Sequence, residues 1–86
     1  MNWELELTKS AQKELHALPQ KDRERVRSGL LLMQQDPFGG DVVRLKAQPA
    51  AWRRRVGSYR IFFDVRGSER RVIVAGIARR TTTTYR

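Results

Sequence analysis

Three arginines, Arg53, Arg55 and Arg60, carry the spacing that could do chemistry on a phosphate. They lie in Trp52-Arg53-Arg54-Arg55-Val56-Gly57-Ser58-Tyr59-Arg60-Ile61-Phe62-Phe63, where two aromatic and β-branched runs flank Gly57-Ser58. Gly at the first central position suits a two-residue type II′ hairpin turn. That turn sets Val56 opposite Tyr59, Arg55 opposite Arg60, Arg54 opposite Ile61, Arg53 opposite Phe62 and Trp52 opposite Phe63. Sides alternate along a strand and paired residues share a side. One face therefore collects Trp52, Arg54, Val56, Tyr59, Ile61 and Phe63, and the other Arg53, Arg55, Arg60 and Phe62. Like charges directly opposite one another weaken a sheet, whereas guanidinium forks match phosphate oxygens. A solvated basic face with splayed side chains is the simpler alternative.

The charge distribution favours an anionic partner. Net charge is +9 over 86 residues. Residues 1–43 hold six basic and seven acidic side chains, while residues 44–86 hold twelve basic residues and only Asp64 and Glu69 as acids. Such asymmetry marks a polyanion-binding surface, nucleic acid foremost, with an acidic protein or a membrane surface as alternatives. The length suits one domain, residues 1–86, with a modest core. Absence of cysteine excludes disulfides and thiolate metal sites and fits a reducing, cytoplasmic setting. The first residues show no signal-peptide pattern, and no apolar run approaches membrane-spanning length. His16 stands without a ligand at metal-binding spacing.

The elements that must position the arginines follow from periodicity. Trp3, Leu5 and Leu7 alternate with Asn2, Glu4 and Glu6, a half-buried strand whose polar side is acidic. Thr8 can cap a helix carrying the stripe Ala11, Leu15, Leu18, which Pro19 ends. Lys21 to about Gln35 reads as a second helix with Val26, Leu30 and Met33 inward, Leu31 and Leu32 widening that face, and Asp22 to Arg27 as a solvated flank. Asp36-Pro37-Phe38-Gly39-Gly40 is a stop. Val42 to Leu45 is a short strand, Lys46 to Ala51 a loop, and Gly67-Ser68-Glu69 a turn. Val72 to Ile77 is apolar enough for a central strand covered on both faces, and Thr81 to Thr84 favour an extended tail. The expectation is an α+β fold: an N-terminal strand, a helical hairpin, then a mainly antiparallel sheet of three to four strands with the helices on one face. Trp52 belongs to the core. Arg54, on the same face, must reach the sheet edge or pair with a helix carboxylate.

This layout resembles the RelE/ParE superfamily of bacterial toxins from type II toxin–antitoxin pairs. The resemblance rests on the Leu18-Pro19 junction, the Asp36-Pro37 stop, Arg44-Leu45-Lys46, the run from Trp52 to Arg60 and the end Ile77-Ala78-Arg79-Arg80…Tyr85-Arg86. It implies a small endoribonuclease that cuts messenger RNA, in association with the ribosome, without a metal or other cofactor, and is neutralised by a cognate antitoxin. On this resemblance Arg53, Arg55, Arg60 and Arg80 are the catalytic cations and Tyr85 the base-stacking aromatic. Arg44, Lys46, Arg79 and Arg86 are the neighbouring RNA-binding positions. The ribose 2′-OH would attack the adjacent phosphate, whose growing charge the cations stabilise. Arginine is a poor general base; relatives with lysine at positions 53 and 55, or histidine at position 79, differ here, leaving Tyr85 and Lys46 as titrating candidates. ParE-like relatives inhibit DNA gyrase instead, and a non-catalytic basic module held by an acidic partner is a third possibility.

Overall fold

The structure, a computed structural model, describes residues 2–46 and 50–79. In chain order these form β1 (Glu4–Leu7), α1 (Lys9–His16), α2 (Gln20–Gln35), β2 (Val42–Arg44), β3 (Trp52–Val56), β4 (Tyr59–Arg66), a 3-10 turn (Gly67–Glu69) and β5 (Arg71–Arg79). The architecture is the expected α+β layout, with one enlargement. The sheet has five strands in the order β1-β5-β4-β3-β2. β1 joins it parallel to β5, with Leu5 beside Val72 and Leu7 beside Val74. The remaining neighbours are antiparallel. β1 is thus part of the sheet because its alternating leucines fall in register with the buried valines of β5.

The β3–β4 register is the one read from the turn: Trp52–Phe63, Arg53–Phe62, Arg54–Ile61, Arg55–Arg60 and Val56–Tyr59. Gly57 has φ +57°, while Ser58 is not among the positive-φ residues, the pattern of a type II′ turn. Arg70, after the 3-10 turn, takes the left-handed conformation at φ 48°.

The helices cover one face. Ala11, Leu15, Val26, Leu30 and Met33 meet Tyr59, Ile61, Phe63, Val72, Val74 and Ile77 in a buried cluster. Thr8 caps α1, accepting from Ala11 N–H at 3.2 Å, and its hydroxyl donates to Ala75 O at 3.2 Å. Leu31 and Leu32 do not widen the buried face; they are 57% and 52% exposed. With Val26, Leu30 and Met33 inward, 100° per residue turns both outward. β5 is an inner strand, yet only one of its faces is fully covered. Val72, Val74 and Ile77 are buried, and Ile73 on the other side is half-buried. The expected Thr81–Thr84 tail lies outside the described residues.

A bulge shapes the end of β5. Phe62 pairs with Gly76 and Phe63 with Val74, leaving Ala75 as the extra residue. β1 pairs with β5 only as far as Val74, and beyond it the outer edge of β5 meets α1. Glu14 accepts the Ile77 N–H at 2.7 Å, taking the place of a strand partner.

α2 presses closely on β3. A Cβ on Gly29 would lie 2.8 Å from Val56 Cγ2. Gly29→Ala gains about 1 kcal/mol of helix propensity, but Val56 is stiff at χ1 and cannot easily yield. We expect a net loss of roughly 1 kcal/mol, seen as a lower urea midpoint, and substantial recovery when Val56→Ala is added. A more stable Gly29→Ala protein would show that the two elements do not press together there.

Candidate functional site

The sheet face away from the helices carries the basic set. Arg55 and Arg60 are direct cross-strand partners, Arg53 is opposite Phe62, and all four share that face. Across β4, Arg60 is opposite Ala78 and Phe62 opposite Gly76. On the β5 side, Arg60 and Phe62 therefore stand beside small residues rather than against other long side chains. Arg53 and Arg60 are half-buried and Arg55 is exposed. Among the described residues neither Arg53 nor Arg60 forms an ion pair, and the buried Arg60 Nε has no hydrogen-bond partner. Arg55 is steadied by Asp41, whose Oδ2 is 3.6 Å from its Nε and whose carbonyl accepts its backbone N–H at 2.9 Å. Asp41 was not singled out from the sequence. Its position follows from the pairing of Val42 with Arg54, which places the preceding residue next to Arg55.

The other basic residues are distributed differently. Arg54 is 8% exposed on the helix side. It meets no helix carboxylate; its Nη1 donates to Gly39 O in the α2–β2 loop. Gly40 has φ +82°, and a Cβ there would come 2.8 Å from Arg54 Nη2, so this loop needs glycine to close over the guanidinium. Arg44 pairs with Trp52, and its guanidinium lies 5.3 Å from the Trp52 ring centre, on the opposite face from Arg53. Trp52 packs on the core and meets Phe38 edge to face at 4.8 Å. Lys46 is exposed in the loop after β2. Arg79 pairs with Tyr59 on the helix-covered face. Arg80, Tyr85 and Arg86 lie outside the described residues.

The same open face has an acidic margin. Glu4 and Glu6 of β1 reach Arg71 at 3.3 and 3.5 Å, and Glu69 adds a third contact at 3.7 Å. Arg71 is thereby neutralised, and among the described residues of this face the uncompensated charge lies on β3 and β4. Among the described residues, no group of three His, Cys, Asp or Glu side chains is placed to hold a metal ion, and no helix is long and apolar enough to cross a membrane. What the site can do is hold an anion against a mostly open β-face, with guanidinium groups converging from adjacent strands.

The chain thus combines a two-helix, five-stranded α+β fold with one basic open face. A sequence model described as the ParE toxin of the type II toxin–antitoxin system parDE matches residues 5–82. The chain belongs to this family, and so to the RelE/ParE superfamily of type II toxin–antitoxin toxins. Its fold is similar to a chain of the Pyrococcus horikoshii RelE–RelB complex, with TM-score 0.82, 20% identity, and coverage of 96% of this chain and 100% of that one. For the Mycobacterium tuberculosis RelBE2 toxin–antitoxin complex the values are 0.81, 19%, 93% and 100%. For a YoeB/ParE toxin from Agrobacterium tumefaciens they are 0.73, 22%, 91% and 99%. No curated protein matches the chain in sequence.

The helix side carries its own polar pair. Tyr59, 3% exposed, donates from its hydroxyl to Asp22 Oδ2 at 2.8 Å, so Asp22 is not part of a solvated flank. The bond to Asp22, then burial, then the Asp22 charge hold the Tyr59 hydroxyl above its ordinary pKa, with Arg79 opposing. A raised folded-state value contributes stability that is fully present below the ordinary tyrosine range near 10 and lost as pH rises through the folded value. The stability advantage of wild type over Tyr59→Phe should therefore be constant near pH 8 and shrink above about pH 10. Urea midpoints of both proteins across that range check this; a constant difference would break the assignment.

Proposed function

We propose that this toxin acts on RNA as an endoribonuclease of messenger RNA, working at the ribosome. The observation that carries the reading is the Arg55–Arg60 pair with Arg53 beside it on one open face, with the small Ala78 opposite Arg60 on the next strand. Such an arrangement works against sheet stability and suits a phosphate. In the reaction the ribose 2′-OH gives up its proton to solvent and attacks the neighbouring phosphorus. The bond from phosphorus to the 5′-oxygen breaks to leave a 2′,3′-cyclic phosphate, the departing 5′-oxygen takes up a proton from water, and charge grows on the non-bridging oxygens on the way. Preorganised guanidinium groups aimed at that charge lower the barrier without moving a proton. Arg53, Arg55 and Arg60 supply this, and the family resemblance assigns Arg80 and Tyr85, outside the described residues, to the same chemistry. The complexes with RelB antitoxins formed by proteins of this fold support a cognate antitoxin as the partner that silences it. An acidic segment folding onto the basic half of the chain would do so.

A second reading follows from the family description, which is that of a ParE toxin: inhibition of DNA gyrase by the same fold without RNA cleavage. Expression of wild type and of Arg55→Ala/Arg60→Ala, with 5′-end mapping of cellular messenger RNA and a gyrase supercoiling assay, separates the two. We expect new 5′ ends within coding regions for wild type and a loss of about 10²-fold or more in the double variant. Growth arrest with unchanged messenger RNA and blocked supercoiling would transfer the assignment to gyrase.

Single-stranded RNA binding should also weaken with salt, and each of Arg53→Ala and Arg60→Ala should reduce the slope of log K against log salt by roughly 0.7. Titrations at several salt concentrations measure it. An unchanged slope would remove those residues from the phosphate contact.

A further inference from the structure

Phe62 stands out on the basic face. It is the only aromatic residue among the side chains that β3 and β4 place there, and it is half-buried. A phenyl ring on a sheet is ordinarily buried by its cross-strand neighbours. Here the two residues directly opposite are Arg53 on one side and Gly76 on the other. Gly76 does not owe its identity to backbone conformation, since its φ is not in the left-handed region. A Cβ built on it would touch Phe62 Cδ2 at 3.8 Å and Glu14 Oε1 at 3.4 Å, both ordinary contact distances. The strand could accept a methyl group at this position, and glycine in a strand interior weakens the strand. What glycine leaves is a shallow notch bordered by the ring and by a carboxylate.

The carboxylate is held in place. Glu14 accepts the Ile77 N–H at 2.7 Å where β5 has no strand partner. This bond uses one oxygen of a group that accepts at two. Ring, notch and carboxylate thus line up along the sheet beside Arg53 and Arg60.

We propose that Phe62 and Gly76 form a stacking platform for one nucleobase of a single-stranded RNA, and that Glu14 reads an amino group on that base. The inference rests on the RNA reading above and adds the base-contact residues to it. The occupant follows from the surroundings. Arginines flanking an aromatic ring match the alternation of phosphate and base along a single strand, with stacking on the ring face and phosphates on the guanidinium groups. Glycine opposite the ring leaves space for a flat ligand. A carboxylate at the end of the notch accepts from an exocyclic amine, as in cytosine, and repels the carbonyl that uracil presents at the same position.

The test uses the intact protein and labelled single-stranded oligoribonucleotides in fluorescence anisotropy: oligo(C), oligo(U) and an abasic ribose-phosphate oligomer of equal length. Wild type should prefer oligo(C) over oligo(U) and both over the abasic strand. Phe62→Leu should lose roughly 10-fold for oligo(C) and little for the abasic strand, whereas Phe62→Trp should retain binding. Gly76→Ala should raise the urea midpoint or leave it unchanged while weakening oligo(C) binding, a pair of signs that a merely structural role would not produce. Glu14→Gln, which keeps an acceptor for Ile77, should shrink the preference for oligo(C) over oligo(U). If wild type binds RNA and Phe62→Leu and Gly76→Ala bind each of the three strands as tightly as wild type does, the platform is wrong and the RNA reading stands. If wild type binds none of the three strands, both fail together.

Discussion

The register of the β3–β4 hairpin is the constraint on which the rest depends. Gly57 takes φ +57°, and a Cβ there would also press on Arg25 Cδ of α2 at 3.1 Å. The turn therefore defines the pairing of the two strands. A slip of one residue would exchange the faces of one strand against the other. Arg53 and Arg55 would then enter the space now filled by Trp52 and Val56, and the core formed by Ile61 and Phe63 would lose its partners. Hydrophobic burial and the placement of charge are enforced by the same turn, so the basic face cannot be shifted in register independently of the core.

Arg54 shows the cost of that arrangement. Three consecutive arginines on an alternating strand must send the middle one inward. Its buried guanidinium is accommodated by a loop, not by a carboxylate: Gly39 offers a carbonyl and Gly40 a position with no side chain. The loop that leads from α2 into β2 is thereby pinned to β3, and it also delivers Asp41 to Arg55. One inward arginine thus helps to orient one of the outward ones. At the far edge of the same face, Glu4, Glu6 and Glu69 neutralise Arg71. Positive potential is concentrated where β3 and β4 meet the small residues of β5, a division that matters more to an approaching anion than the net charge does.

Family membership and site geometry answer different questions. The ParE toxin match spans nearly the whole chain, and the similar structures, at 19 to 22% identity, establish how the backbone runs. Neither reports on which polyanion or protein the open face meets. That depends on side chains at a few strand positions, and relatives can change them without disturbing the fold.

Much of this protein was legible in one dimension. A glycine at the hairpin tip, alternating residues on either side and helical stripes ending at Pro19 and Pro37 determined the two helices, the β3–β4 register and the face that Arg53, Arg55 and Arg60 share, because these are consequences of short-range geometry with periods of 2 and 3.6. The sites of Arg44 and Arg79 were not legible. Each shares a face with an aromatic partner on the neighbouring strand, Trp52 or Tyr59, and that pairing is set by tertiary register. Nor could periodicity tell that β1 would run parallel beside β5, that Asp22 would receive the Tyr59 hydroxyl, or that Glu14 would satisfy the edge of β5 next to Gly76 and Phe62. Those contacts join residues from 37 to 67 positions apart, and only the packing of helices on a twisted, bulged sheet brings them within hydrogen-bond reach.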